Sequence, residues 1–335
     1  MNKTQQIIPV HLLSGFLGSG KTTLLQRLLD YYKASGKKPA VIMNELGDIN
    51  LDGQLLGNAV PMAEMLSGCI CCTIRGDLGM EISMLIDQHQ PDVIFIESTG
   101  AANPMETLDG VLEAAMYKPV DLHSVITVVD GPELLERGRT GKGRTFKLMQ
   151  EQIRCASILL LNKVDKLEPE QLVESQQQLR ELNAHARIIA TVRCAIDDWS
   201  LLEDDGTRAL QHRVAHAPGG DEPESLGQSG AGHHHSHDHV MAVTHYWRNP
   251  VNSEDFEALL NRLPDNVYRA KGIVTFSDTR SRFLFQYAYR ESDLMKIEPQ
   301  GPVNDVAVFI GERFSKEWLL RELMLVEKAG LAELK

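Results

Sequence analysis

Eight residues near the start of the chain, Gly15-Phe16-Leu17-Gly18-Ser19-Gly20-Lys21-Thr22, satisfy the spacing G-x-x-x-x-G-K-[ST]. That spacing is a device for holding phosphate. Glycines let the backbone wrap closely enough for its N–H groups to reach phosphate oxygens, and the positive end of the following helix faces the anion. Lys21 is placed to reach the β- and γ-phosphates and the Thr22 hydroxyl to ligate Mg²⁺, with Gly15, Gly18, Ser19, Gly20 and Thr23 completing the cradle. Further on, "ILLLNKVDKL" sets Asn162, Lys163 and Asp165 in an N-K-x-D arrangement at the end of an apolar run. A carboxylate at that point accepts hydrogen bonds from the guanine N1–H and 2-amino group. Adenine offers neither donor there, so the arrangement selects GTP. "DVIFIESTG" adds Glu97 at another strand end. It is a candidate to hold the magnesium water or to respond to the γ-phosphate through the Gly100 amide; the plainer reading is a helix entry capped by Ser98 and Thr99.

Three thiols, Cys69, Cys71 and Cys72, fall within "GCICC". Structural zinc sites close a tetrahedron from two separated ligand pairs, whereas this cluster has no matching second pair. Three thiolates leave one position open for Glu45, water or a partner's ligand, which suits a site that passes its metal on. Soft sulfur favours Zn²⁺ or Cu(I) over Mg²⁺, with Co²⁺ a further candidate. A redox pair is the alternative, but the C-x-x-C spacing occurs only as Cys69 to Cys72 with a third thiol between. Glu45 belongs to "MNELGDINLD", where Asn44, Glu45 and Asp48 follow a strand end as a candidate switch segment or a simple polar turn. Cys155 and Cys194 read as small buried residues. His233, His234, His235, His237 and His239 form a tract that could capture metal weakly and exchangeably, or serve only as a solvated spacer.

Elements must position these groups. Short runs rich in β-branched residues, 7–13, 40–43, 93–96, 125–129, 158–161 and 188–190, alternate with helical patterns. Runs of this kind are strands buried on both faces, so the expectation is an α/β unit, a mostly parallel sheet covered by helices, over residues 1–203. Residues 204–240 are rich in Gly, Pro, Ser, Asp, Glu and His and nearly free of large apolar side chains, which makes them a linker. Residues 241–335 carry further strand and helix patterns, "MAVTHYW", "SEDFEALLNRLP", "GIVTFS", "RFLFQYAY", "VAVFI" and "SKEWLLRELMLVEKA", expected to form a smaller α+β domain.

The 335 residues carry 34 Lys and Arg against 46 Asp and Glu, a formal net charge of -12. Nucleic-acid and anionic-membrane surfaces select for the opposite balance, so neither is an expected partner. The apolar N-terminal run is too short to span a bilayer and no export signal is visible, which predicts a cytoplasmic location.

Taken together, "SGFLGSGKTTLL", "NELGD", "GCICC", "ESTGAANP", "NKVD", the histidine tract and "LPDNVYRAKGIVTF" resemble the CobW-type P-loop GTPases. These are metallochaperones and metalloprotein activators near the nickel-insertion GTPases. The resemblance implies a SIMIBI-class G domain, a CobW C-terminal domain, GTP hydrolysis, and zinc or another divalent metal on Cys69, Cys71 and Cys72. The thiol cluster lies between the phosphate-loop helix and the Glu97 strand, so hydrolysis is expected to release the metal to a client metalloprotein. No residue is identifiable as the base for the attacking water, so slow turnover accelerated by a partner or by homodimer formation is expected. One departure is that Ser157 stands where the family often has an acid before the "NKVD" strand. Two other readings of the chain are a passive zinc buffer and a P-loop kinase for a small metabolite, the latter leaving "NKVD" and the thiols unexplained.

Overall fold

The computed structural model describes residues 6–44, 60–64, 74–98, 100, 104–140, 143–199, 240–288, 290–299, 301–312 and 314–333. Glu45, Asp48, Cys69, Cys71, Cys72, Thr99 and the five histidines from His233 to His239 lie outside the described residues.

Seven strands form the first sheet: β1 (Ile8–Ser14), β2 (Pro39–Asn44), β3 (Met62–Glu64), β4 (Val93–Ser98), β5 (Val120–Asp130), β6 (Ile158–Asn162) and β7 (Arg187–Ala190). Their order is β3-β2-β4-β1-β5-β6-β7, and every neighbouring pair is parallel. Parallel neighbours need crossovers. Helices α1 (Lys21–Ala34), α2 (Ile74–His89), α3 (Pro104–Ala115), α4 (Gly131–Thr140), α5 (Arg144–Arg154) and α6 (Pro169–Leu182) lie between the strands in sequence. The continuous apolar runs are explained by burial on both faces. Val10 and Leu12 of β1 join a cluster with Leu78 and Ile82 of α2 and Leu108 and Val111 of α3. Leu13 turns the other way, into a cluster with Leu24, Leu25 and Leu28 of α1. Between those two residues the buried His11 ring stacks on Phe95, with centroids 5.2 Å apart, and its Nδ1 lies 2.7 Å from Ser124 Oγ.

The second unit is an antiparallel sheet of β8 (Val240–Tyr246), β9 (Val267–Thr275), β10 (Arg282–Ala288), β11 (Glu291–Ile297) and β12 (Val306–Glu312), in the order β11-β10-β9-β12-β8. Helices α7 (Ser253–Arg262) and α8 (Lys316–Glu333) cover one face, with Phe256, Leu259, Leu319 and Leu323 packed on Phe285, Tyr287 and Phe309. The start of α7 is set locally: the Asn252 side chain accepts from the backbone N–H of Glu254 and Asp255. On the opposite face, Ile273, Val308 and Ile310 share a core with Leu108, Val111 and Leu112 of α3. Ion pairs frame that contact: Arg269 holds both carboxylate oxygens of Asp109 at 2.9 and 2.8 Å, and Lys271 meets Glu113 at 2.8 Å.

Strands β3 and β11 are absent from the sequence expectation. A strand of three residues leaves no readable period. β11, "ESDLMKI", lies at a sheet edge and is mostly exposed, so it lacks the apolar alternation that betrays a half-buried strand.

Candidate nucleotide site

Because β1, β4, β5 and β6 all run in one direction, their carboxyl ends open on one edge of the sheet, the usual place for a ligand in such folds. Ser14, Glu97, Asp130 and Asn162 are thereby brought together from positions far apart in the chain.

The loop after β1 needs its glycines for two separate reasons. Gly15 has φ of 137°, and a Cβ added there would meet the Val128 carbonyl oxygen at 2.3 Å. Gly20 has φ of 116°, and a Cβ there would come within 2.6 Å of Asn162 Nδ2. Helix α1 then begins at Lys21 without a side-chain cap and with no acid in its first turn. Gly20 at the cap position offers no side chain to its leading N–H groups, and the positive dipole end favours an incoming anion. Lys21 folds back over the loop, its Nζ donating to the carbonyls of Gly15 at 3.0 Å and Phe16 at 3.4 Å. Ser19 Oγ is fully buried with no hydrogen-bond partner among the described residues. Thr23 and Gly18 are exposed.

Thr22 and Glu97 meet. The threonine hydroxyl donates to Glu97 Oε1 at 3.2 Å, and Glu97 is buried at the end of β4. Two hard oxygen donors side by side at the mouth of a phosphate loop fit Mg²⁺, whose ligands are oxygens and waters.

The end of β6 braces the same loop. Asn162 is buried, its Nδ2 donating to the Ser19 carbonyl at 2.8 Å while its Oδ1 accepts from Cys194 N–H at 2.9 Å and from Thr191 Oγ1 at 3.2 Å. Lys163, in a left-handed conformation with φ of 62°, donates to the Gly18 carbonyl at 2.8 Å and to Asp130 Oδ2 at 2.5 Å. Asp165 follows in a short helical turn and is exposed. Ser157, the departure at the start of this strand, has a local role. Its Oγ accepts from Val125 N–H at 3.0 Å and donates to the Val125 carbonyl at 3.2 Å, stitching β6 to β5.

Asp130, Gln152 and Thr191 join the site without having been singled out in the sequence, and Cys194, read there only as a small buried residue, joins it too. Asp130 carries the signal that drew attention to Glu97, an acid at the end of an apolar strand. Cys194 is buried as expected, but its backbone and the 191–195 segment support Asn162. Burial pushes its thiol up to about 12, against the opposing pull of Arg27 and Lys163, so it remains a neutral thiol. Among the described residues no cluster of His, Cys, Asp or Glu has the makings of a metal centre. Cys69, Cys71, Cys72, Glu45 and the histidine tract lie outside them.

Residues 9–190 match the profile of the CobW/HypB/UreG nucleotide-binding domain, and residues 240–326 that of the cobalamin synthesis protein cobW C-terminal domain. The chain belongs to the CobW/HypB/UreG family. A full-length family relative, zinc chaperone YjiA of Escherichia coli, is 30% identical over 92% of this chain and 96% of its own length. Zinc-regulated GTPase metalloprotein activator 1 of Dictyostelium discoideum is 27% identical over 81% of this chain and 64% of its own. Zinc chaperone YeiR of Escherichia coli is 36% identical over 51% and 49%. The chain thus spans less than two thirds of the Dictyostelium relative and about half of YeiR. No helix among the described residues is long and apolar enough to cross a membrane.

Proposed function

We propose that this protein is a GTP-hydrolysing metallochaperone that takes zinc, with cobalt as a second candidate, and hands it to a client metalloprotein. Residues 1–203 are read as the GTP-binding domain, 204–240 as a histidine-bearing linker and 241–335 as a CobW-type C-terminal domain. The observation that carries the reading is the convergence of Lys21, the Thr22–Glu97 pair and the end of β6 on one uncapped helix N-terminus. The names of the relatives, zinc chaperones and a zinc-regulated GTPase, supply the cargo.

In this reading the backbone of Gly15, Gly18, Ser19 and Gly20 holds the phosphates, and Lys21 turns from the Gly15 carbonyl to the β- and γ-phosphates. Thr22 and Glu97 would hold Mg²⁺, which neutralises charge developing on the transferred phosphoryl group. Asp165 reads guanine while Asn162 and Lys163 keep the loop in place. Cys69, Cys71 and Cys72, with Glu45 or water in the fourth position, take the metal, and His233, His234, His235, His237 and His239 collect it. GTP tightens the thiol site and hydrolysis releases its cargo.

Zinc competition titrations with and without a non-hydrolysable GTP analogue test this, paired with nucleotide titrations with and without zinc. Linkage requires the two effects to be equal, at a coupling of typically ~1–3 kcal/mol. Replacing the three cysteines with serine should erase the coupling and spare GTP binding. Equal zinc affinity in both nucleotide states would reduce the protein to a passive zinc buffer.

A further inference from the structure

We propose that Gln152 positions Gly100 for the γ-phosphate and so sets how well the site tells GTP from GDP. The proposal rests on the GTPase reading above. Gln152 is 1% exposed, on a face of α5 otherwise filled by Met149 and Ile153. A buried amide costs free energy unless it is hydrogen-bonded, and an apolar side chain of the same length would fill this space without that cost. Where the amide goes is therefore informative. Its Nε2 donates to the Gly100 carbonyl at 3.2 Å, and its own backbone carbonyl accepts from Thr127 Oγ1 at 2.9 Å.

Both partners are walls of the phosphate loop. A Cβ added to Gly100 would come within 2.7 Å of the Leu17 nitrogen and 3.3 Å of the Phe16 carbonyl carbon, so Gly100 lies directly on the loop. Across the loop, Gly15 is pressed on Val128, the residue after Thr127. Gln152 thus ties β5 and the exit of β4 together behind the loop they enclose. A carbonyl oxygen turned towards the loop would repel the oxygens of a third phosphate. Held on Gln152, the Gly100 oxygen points at α5 instead. A diphosphate lacks the group that meets Gly100, so loss of the tie should fall on the triphosphate state alone.

Two variants separate this from a packing role. Gln152→Met keeps the length and removes the donor; Gln152→Glu puts an acceptor against the Gly100 carbonyl. In both, GDP affinity should stay within about twofold of wild type while affinity for a non-hydrolysable GTP analogue falls about tenfold and kcat falls with it. Equal weakening of both nucleotides, or an unchanged ratio between them, overturns the proposal. If neither variant folds, the wild type carries the test: the Gln152 side-chain amide resonance should shift when the GTP analogue replaces GDP, and an unmoved resonance overturns the proposal. A wild-type protein that binds neither nucleotide sinks the GTPase reading itself, and this inference with it.

Discussion

The Thr22 hydroxyl donates to Glu97 Oε1 over 3.2 Å, joining the first turn of α1 to the end of β4 across 75 positions of sequence. The register of the sheet makes the meeting possible, because Leu13 of β1 pairs directly with Glu97. The carboxylate orients the hydroxyl that would ligate Mg²⁺ and adds its charge to the same point. Glu97→Gln keeps the shape and removes the charge. It should raise the Mg²⁺ concentration needed for half-maximal GTP turnover about 10- to 100-fold, as loss of outer-sphere partners does elsewhere. Turnover measured across a magnesium series decides it, and an unchanged midpoint would separate Glu97 from the metal.

Lys21 bonds to the Gly15 and Phe16 carbonyls, so its charge is held beside the phosphate loop before any ligand arrives. Lys21→Ala should lower kcat by at least about 10²-fold, the scale seen when one preorganised charge or donor is withdrawn from a transition state. Helix α1 keeps its packing through Leu24, Leu25 and Leu28, so the unfolding transition should stay cooperative. Single-turnover hydrolysis alongside thermal unfolding separates the two, and wild-type turnover in this variant would remove Lys21 from the chemistry.

Much of this was legible in the sequence, for physical reasons that also mark its limits. β1, β4 and β6 announced themselves because burial on both faces forces unbroken apolar runs. Gly15 and Gly20 stood out because a motif of fixed spacing records their close approach to Val128 and Asn162. Pairings between distant positions leave no such local trace. Nothing in "NKVD" says that the Asn162 amide is already committed to Ser19 and Cys194, or that Lys163 reaches Gly18 and Asp130. Gln152 belongs to no motif, and nothing in the sequence around it marks the Gly100 carbonyl as its partner.

His11 supplies a pH dependence. Its pKa is held well below the usual 6.5, chiefly by burial, with His123 and Lys37 acting in the same direction. The unfolded chain therefore binds this proton more readily than the folded one, and stability rises with pH between the two values. The contribution is fully present above about pH 6.5 and is lost as pH falls towards the folded value. Burial lowers His245 as well, opposed by Glu327, and adds a slope of the same sign. Replacing His11 with Phe and Ser124 with Ala together removes both hydrogen-bonding partners, so no buried group is left unpaired. Denaturant midpoints from pH 7.5 down to 5 should fall more gently in that double variant. An identical slope would assign the acid sensitivity elsewhere.

Asp165 carries the test of base selection. It is exposed, just beyond the left-handed Lys163 whose side chain is anchored to Gly18 and Asp130, so a turn fixed to the phosphate loop presents its carboxylate. A carboxylate only accepts, which matches the guanine N1–H and 2-amino donors. In Asp165→Asn the amide oxygen still accepts from N1–H, but the amide nitrogen now faces the 2-amino group as donor against donor. Xanthine carries an oxygen at that position and restores the match. Affinity for GDP should fall about 10- to 100-fold, the scale of losing hydrogen bonds to a charged group, while affinity for xanthosine diphosphate rises. Displacement of a fluorescent GDP analogue by the two diphosphates measures both at once. An unaltered preference in this variant would mean that a different segment reads the base, and the 191–195 loop against Asn162 would be the first to substitute.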